Sequence, residues 1–151
     1  MRGPWIINSY HNLDDDDRFS DGYWRSGDVG TIDKFGYLKL TDRLKDVIKS
    51  GGEWISSIDM ENALCAHPRI REAAVVGIAH PKWQERPVAL VVSDDGSEIA
   101  LEEIHELLSP AFAKWQLPDT VLFVDVVPRT SVGKLDKKSI RATYSDLYTK
   151  P

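Results

Sequence analysis

The hydrophobic positions of this chain gather in a few short blocks separated by charged, glycine-containing stretches. Ala73–Ala79 and Pro87–Ser93 are nearly continuous apolar runs, rich in valine and short enough for strands. The polar loop His80-Pro81-Lys82-Trp83-Gln84-Glu85-Arg86 joins them. Val121–Val127 reads as a third buried strand, closed by Pro128. Helical spacing appears three times. Ile58, Glu61 and Leu64 lie three apart within a helix expected over about Ser57–Ala66 and ended by His67-Pro68. Leu101, Ile104, Leu107 and Leu108 form a second set, and Ile140, Tyr144 and Leu147 share one face of a helix expected over Asp136–Leu147. Nearer the start, Val29–Asp33 and Tyr37–Thr41 flank the turn Asp33-Lys34-Phe35-Gly36, and Leu38 and Leu40 alternate with Lys39, the pattern of a half-buried hairpin.

Residues 42–55 break this pattern with Asp42-Arg43-Leu44-Lys45-Asp46 and Lys49-Ser50-Gly51-Gly52-Glu53, which reads as a boundary or hinge. After it the order is α-β-β-α-β-α. Two adjacent strands with a short connection predict an α+β fold, a small mixed or antiparallel sheet with helices packed on it. Residues 1–42 have strands but no core of their own and read as the edge of another unit.

Composition narrows the function classes. The chain has 151 residues, 42% hydrophobic and 28% charged, enough for a sizeable core. A net charge of −5 disfavours a nucleic-acid footprint or a polybasic membrane anchor. A single cysteine, Cys65, excludes an internal disulfide framework and a cysteine zinc cage. The start lacks the apolar run of a signal peptide and no stretch is long enough to cross a bilayer, so a cytoplasmic location is expected. The run Asp14-Asp15-Asp16-Asp17 reads as a solvated loop, since a calcium loop needs alternating ligands and a glycine turn.

Three segments could carry chemistry. Val132-Gly133-Lys134 places a lysine on a short polar loop after a strand. It is not a phosphate-binding P-loop, because Pro128 and Leu135 stand where that motif needs Gly and Ser or Thr. Such a lysine can serve as a point charge for phosphate or carboxylate. In Trp24-Arg25-Ser26-Gly27-Asp28, a carboxylate follows a Ser-Gly turn and could accept hydrogen bonds from ribose hydroxyls. Arg43, Lys45 and Lys49 surround the adjacent glycines Gly51 and Gly52, which permit close backbone approach to a ligand. Taken singly, each segment is also what an ordinary solvated turn contains. His11, His67, His80 and His105 have no metal-like spacing, and Trp83 and Trp115 taken alone read as packing or surface anchors.

The order of these segments resembles a known family. Trp24–Asp28, Thr41–Glu53, Ala73–Gly77 and Pro128–Lys134 follow one another as in the C-terminal part of the acyl-adenylate-forming, AMP-binding ligases. Gly51–Ser57 and His80–Pro87 look most like the bacterial medium- or long-chain fatty-acyl-CoA synthetases. The resemblance implies a two-step reaction with ATP and CoA as substrates, in which the C-terminal lid swings on a hinge between steps. On that basis Asp28 matches the ribose-binding aspartate, Arg43 a linker arginine at ribose or phosphate, and Lys45 the hinge position. Lys134 matches the lysine that reaches the carboxylate and α-phosphate during adenylation. Gly51 and Gly52 match the loop that leaves room for the pantetheine arm, with Lys49 beside it assisting the second step. Trp83 and Trp115 match positions that could stack on the CoA adenine. Leu117 departs from a relative that has a basic residue for CoA phosphate.

The family's phosphate loop, its adenine and Mg²⁺ motif and its acyl pocket are absent from the sequence, and no metal site is expected within it. Residues 1–42 are then expected to be the last strands of a large N-terminal adenylation domain, the chain's expected partner, and residues 43–151 the mobile lid. The 151 residues alone are expected to be inactive. The alternatives are an adenylation domain serving a carrier protein and a standalone non-catalytic nucleotide- or CoA-binding module. Residues 1–42 could also pair edge to edge with a second copy of the chain.

Overall fold

The computed structural model describes residues 1–12 and 16–149, so Asp14 and Asp15 of the acidic run lie outside the described residues. The chain divides into two compact units, Met1–Lys45 and Asp46–Pro151.

The first unit is built from two antiparallel ribbons. A short one pairs β1 (Phe19–Ser20) with β2 (Tyr23–Trp24). The longer pairs β3 (Asp28–Ile32) with β4 (Leu38–Arg43), matching Asp28 to Arg43 and Ile32 to Leu38 around a bulge at Val29/Gly30. The Asp33 carboxylate shapes the turn by accepting the N–H groups of Phe35 and Tyr37 at 2.8 and 2.9 Å. The expected alternation of Leu38 and Leu40 does not produce burial within this unit, where both are exposed.

The second unit holds the core. Its strands are β5 (Ile48–Ser50), β6 (Glu53–Ile55), β7 (Ile70–His80), β8 (Gln84–Ser93) and β9 (Thr120–Phe123). Its helices are α1 (Ser57–Leu64), α2 (Leu101–Leu108) and α3 (Lys137–Thr143). β7 and β8 form a long antiparallel hairpin. Along the other edge of β8, β5 pairs antiparallel at Gln84 and β9 pairs parallel from Val88 to Val91. The sheet is therefore mixed, and the fold is α+β.

Both faces of the central hairpin are covered. Ala73, Val75, Ala89 and Val91 pack with Met60 and Leu64 of α1 and Ile104 and Leu108 of α2. Ala74, Val76, Leu90 and Val92 pack on the opposite side with Ile140 of α3 and with Tyr144 and Leu147 beyond it. Strands buried on both faces read as continuous apolar runs, as these do.

Several sequence expectations need correction. Val124–Val127 lies outside β9, and Val126 is solvent-exposed. α3 stops at Thr143, with turns beyond it. On α1 the buried stripe is Ser57, Met60 and Leu64, and Ile58 faces outward. The stretch 42–55, read as a boundary or hinge, does contain the division between the two units at Lys45/Asp46, but its later part forms the β5–β6 hairpin. Gly51 and Gly52 form its two-residue turn with φ of 61° and 88°, the left-handed pair that a tight hairpin turn requires.

Candidate functional site

In the first unit, register brings two of the candidate residues together. Asp28 and Arg43 are cross-strand partners, and Arg43 Nε lies 3.4 Å from Asp28 Oδ1. Ser26 Oγ accepts the Asp28 N–H at 3.3 Å, and the buried Asp42 accepts the Arg43 N–H at 2.7 Å. A cavity of about 520 Å³ opens beside them, lined by Tyr10, Arg18, Arg25, Arg43 and Lys45 among others. Arg18 stacks over the Tyr10 ring, with its guanidinium carbon 5.1 Å from the centroid. A carboxylate acceptor beside several cations is chemically suited to a group carrying both hydroxyls and negative charge.

In the second unit, Gly51, Trp83 and Trp115 line one cavity of about 370 Å³ together with Ser50, Glu53, Arg86 and Asp119. The Gly51 N–H donates to the Trp83 carbonyl at 2.9 Å. A β-carbon on Gly51 would sit 3.4 Å from the Trp83 ring, so glycine keeps the space between turn and indole open. Gly52 and Lys49 are not among the lining residues, and the Lys49 ammonium instead lies 5.2 Å from the Trp54 ring centroid. Leu117 is buried in the core, so its side chain is used for packing.

Two residues that the sequence reading missed build the floor of this cavity. Arg86 is buried and donates through all five of its N–H groups. Nε and Nη2 grip the Asp119 carboxylate at 2.5 and 2.8 Å. Nη1 reaches the Trp115 carbonyl at 2.5 Å and Ser50 Oγ at 3.1 Å, and Nη2 also reaches the Leu117 carbonyl at 2.9 Å. One guanidinium thus ties together β5, β8 and the 3-10 turn Lys114–Gln116 that presents Trp115. Its hydrogen bonds hold the Asp119 carboxyl below the usual carboxylate range, and Asp119 raises the Arg86 guanidinium in turn. With every donor engaged, Arg86 positions the aromatic walls and has no free donor for an anion.

Lys134 lies elsewhere in the second unit, and none of the described cavities is lined by both Lys134 and Lys49. Its loop is a narrow hairpin closed by a bridge between Arg129 and Leu135. The Lys134 carbonyl accepts from Thr130 N–H at 2.8 Å, and its own N–H donates to Thr130 Oγ1 at 3.2 Å. The side chain is exposed, in contrast to Lys137 three residues on. Lys137 is buried, with Nζ 2.7 Å from both Glu61 Oε1 and Ser57 Oγ. Among the described residues no group of His, Cys, Asp and Glu forms a metal-binding cluster, and no helix is long and apolar enough to cross a membrane.

The second unit is thus an α+β domain with an exposed lysine on a braced loop, and the sequence comparison places it in a family. The family described as AMP-binding enzyme C-terminal domain matches residues 59–134, and the chain belongs to it. A long-chain-fatty-acid–CoA ligase of Thermus thermophilus is 51% identical over 98% of this chain and 28% of its own length. A medium-chain-fatty-acid–CoA ligase of Ectopseudomonas oleovorans is 42% identical over 97% of this chain and 27% of its own. Among solved structures, o-succinylbenzoate CoA synthetase of Bacillus subtilis, in complex with its acyl-adenylate intermediate, superposes with a TM-score of 0.85 at 31% identity. That match covers 93% of this chain and 29% of the other. The chain therefore spans little more than a quarter of the length of these relatives.

Proposed function

We propose that this chain is the C-terminal part of an AMP-forming acyl-CoA ligase that activates a fatty acid. In the first step the acid's carboxylate attacks the α-phosphate of ATP, giving acyl-AMP and pyrophosphate. In the second the CoA thiol attacks the acyl carbonyl and AMP leaves. Lys134 stabilises the charge that builds on the α-phosphate, which a mobile ammonium does well in a water-poor site. Asp28 accepts the ribose hydroxyls, Arg43 contacts ribose or phosphate, and Lys45 is the hinge. Gly51 and Gly52 leave room for the pantetheine arm, Trp83 and Trp115 stack on the adenine of CoA, and Lys49 assists thioester formation. Residues 1–42 complete the N-terminal adenylation domain, which holds Mg²⁺ and the acyl pocket.

The observation that carries this reading is the Lys134 loop, which has a fixed backbone and an exposed ammonium. The cavity shared by Gly51, Trp83 and Trp115 supports the CoA side. The test uses the complete polypeptide that includes these residues. Lys134→Ala is expected to lower ATP–pyrophosphate exchange by about 100-fold or more, the scale of losing one transition-state charge contact. Thioester formation from supplied acyl-AMP is expected to survive. Equal loss of both steps would refute the role. The 151 residues alone are expected to make no acyl-CoA, and turnover by the pure chain would overturn that part of the reading.

A further inference from the structure

Lys134 can act only where its loop puts it, and the loop is anchored at both ends. Downstream, the Asp136 N–H donates to the Pro128 carbonyl at 2.8 Å, and Asp136 Oδ1 accepts the Ser139 N–H at 3.0 Å to cap α3. Lys137 then pins the first turn of α3 to Glu61 and Ser57 of α1. Glu61 Oε1 also accepts the Val75 N–H at 2.8 Å, so this foot reaches β7 as well.

Upstream, Arg129 does something different. Its Nη1 donates to the carbonyl of Gly133, the residue immediately before Lys134, at 2.6 Å. Its Nη2 pairs with Glu72 Oε1 on β7. The planar guanidinium therefore spans from the sheet to the tip of the loop, a two-acceptor geometry that an ammonium cannot reproduce with the same rigidity. Arg129 and Glu72 are both partly exposed, so as a surface ion pair they contribute little to global stability. Their effect is on the placement of one peptide group.

We propose that Arg129, anchored by Glu72, is a positioning residue that holds Lys134 in its adenylation-competent place. This rests on the reading of Lys134 as the adenylation lysine. Removing the guanidinium frees the Gly133 carbonyl and lets the Lys134 Cα wander, while Thr130 and the α3 cap still close the loop. Displacements of about 1 Å at a reacting group cost up to about 100-fold in rate, so a loss of about tenfold to 100-fold in the adenylation step is expected.

Two measurements test this. In the 151-residue chain, Arg129→Met is expected to speed amide-proton exchange at Lys134 while Val76 and Leu90 in the central hairpin are unchanged. In the complete polypeptide, Arg129→Met and Glu72→Gln are each expected to slow ATP–pyrophosphate exchange and to spare thioester formation from acyl-AMP. Arg129→Lys is expected to fall between wild type and Arg129→Met, since it can reach one acceptor at a time. Unchanged exchange at Lys134, an unchanged adenylation rate, or equal loss of both half-reactions would each overturn the proposal. If Lys134→Ala abolishes adenylation and Arg129→Met does not slow it, the positioning role alone fails. If Lys134→Ala leaves adenylation intact, the functional reading fails and the positioning role with it.

Discussion

Arg86 and Lys137 are the two cations buried among the described residues, and each is held by a carboxylate from a distant part of the chain. Removing one partner of such a pair leaves an uncompensated charge in a poorly solvated place, at a cost of about 3–5 kcal/mol. Lys137→Met is therefore expected to destabilise the chain by about that amount in urea unfolding. Adding Glu61→Gln should recover part of the loss, because a neutral amide can still accept the Val75 N–H. Asp119 gives a pH-dependent counterpart. Arg86 depresses its folded-state pKa, so its contribution is present above the ordinary carboxylate range and is lost as pH falls through the lower folded value. Since Asp119 is half exposed, solvent screening trims the effect. Asp119→Asn is expected to weaken stability at neutral pH and flatten the acid limb of the stability profile, as thermal melts from pH 7 to pH 2 would show.

At the scale of elements, what could be read in the sequence depended on how local the signal was. β7 and β8 were legible because both faces are buried, which leaves continuous apolar runs. The helices were legible from Leu64, Ile104, Leu108 and Ile140, although the outward Ile58 misplaced the face of α1. The β5–β6 hairpin was missed because it offers little more than Ile48 and Ile55 to the core, and its Gly-Gly turn reads equally as a hinge. Trp83 and Trp115 were nameable as candidates, but the floor beneath them was not. Arg86 and Asp119 lie 33 positions apart, and Lys137 lies 80 from Ser57, distances over which only the folded chain reveals a partner. Gly77 shows the same limit. A β-carbon there would lie 2.8 Å from Glu85 Oε2 and 3.1 Å from Ile48 Cγ2. The Glu85 carboxylate accepts the Lys49 N–H at 2.8 Å, so displacing it loosens β5. Gly77→Ala is expected to cost about 1–3 kcal/mol by overpacking. Amide exchange should rise at Lys49 and Ser50 before it rises in β8.

At the scale of the whole molecule, the two units differ in what holds them. Both hydrophobic clusters lie within residues 46–149, and among the described residues no buried hydrophobic one belongs to the first unit. Its hairpin instead exposes Ile32, Phe35, Tyr37, Leu38 and Leu40, with Phe35 and Tyr37 each 75% accessible. Two-stranded hairpins without a packed face are marginal in water. The apolar side chains of this one have the composition of strands that belong to a larger sheet, consistent with the proposed place of residues 1–42 at the end of an adenylation domain. The second unit has the opposite character, with helices on both faces of its central strands and both buried cations satisfied internally. Residues 46–151 produced alone are therefore expected to unfold in one cooperative transition within about 2 °C of the midpoint of the whole chain, a difference smaller than 1 kcal/mol would cause. Residues 1–45 alone are expected to show no cooperative transition. Calorimetry of the two pieces and the whole chain checks both. A drop of more than about 5 °C on removing residues 1–45 would mean that the first unit contributes to the stability of the second by about 1 kcal/mol or more. The second unit would then be less independent than the proposed swing between two half-reactions requires.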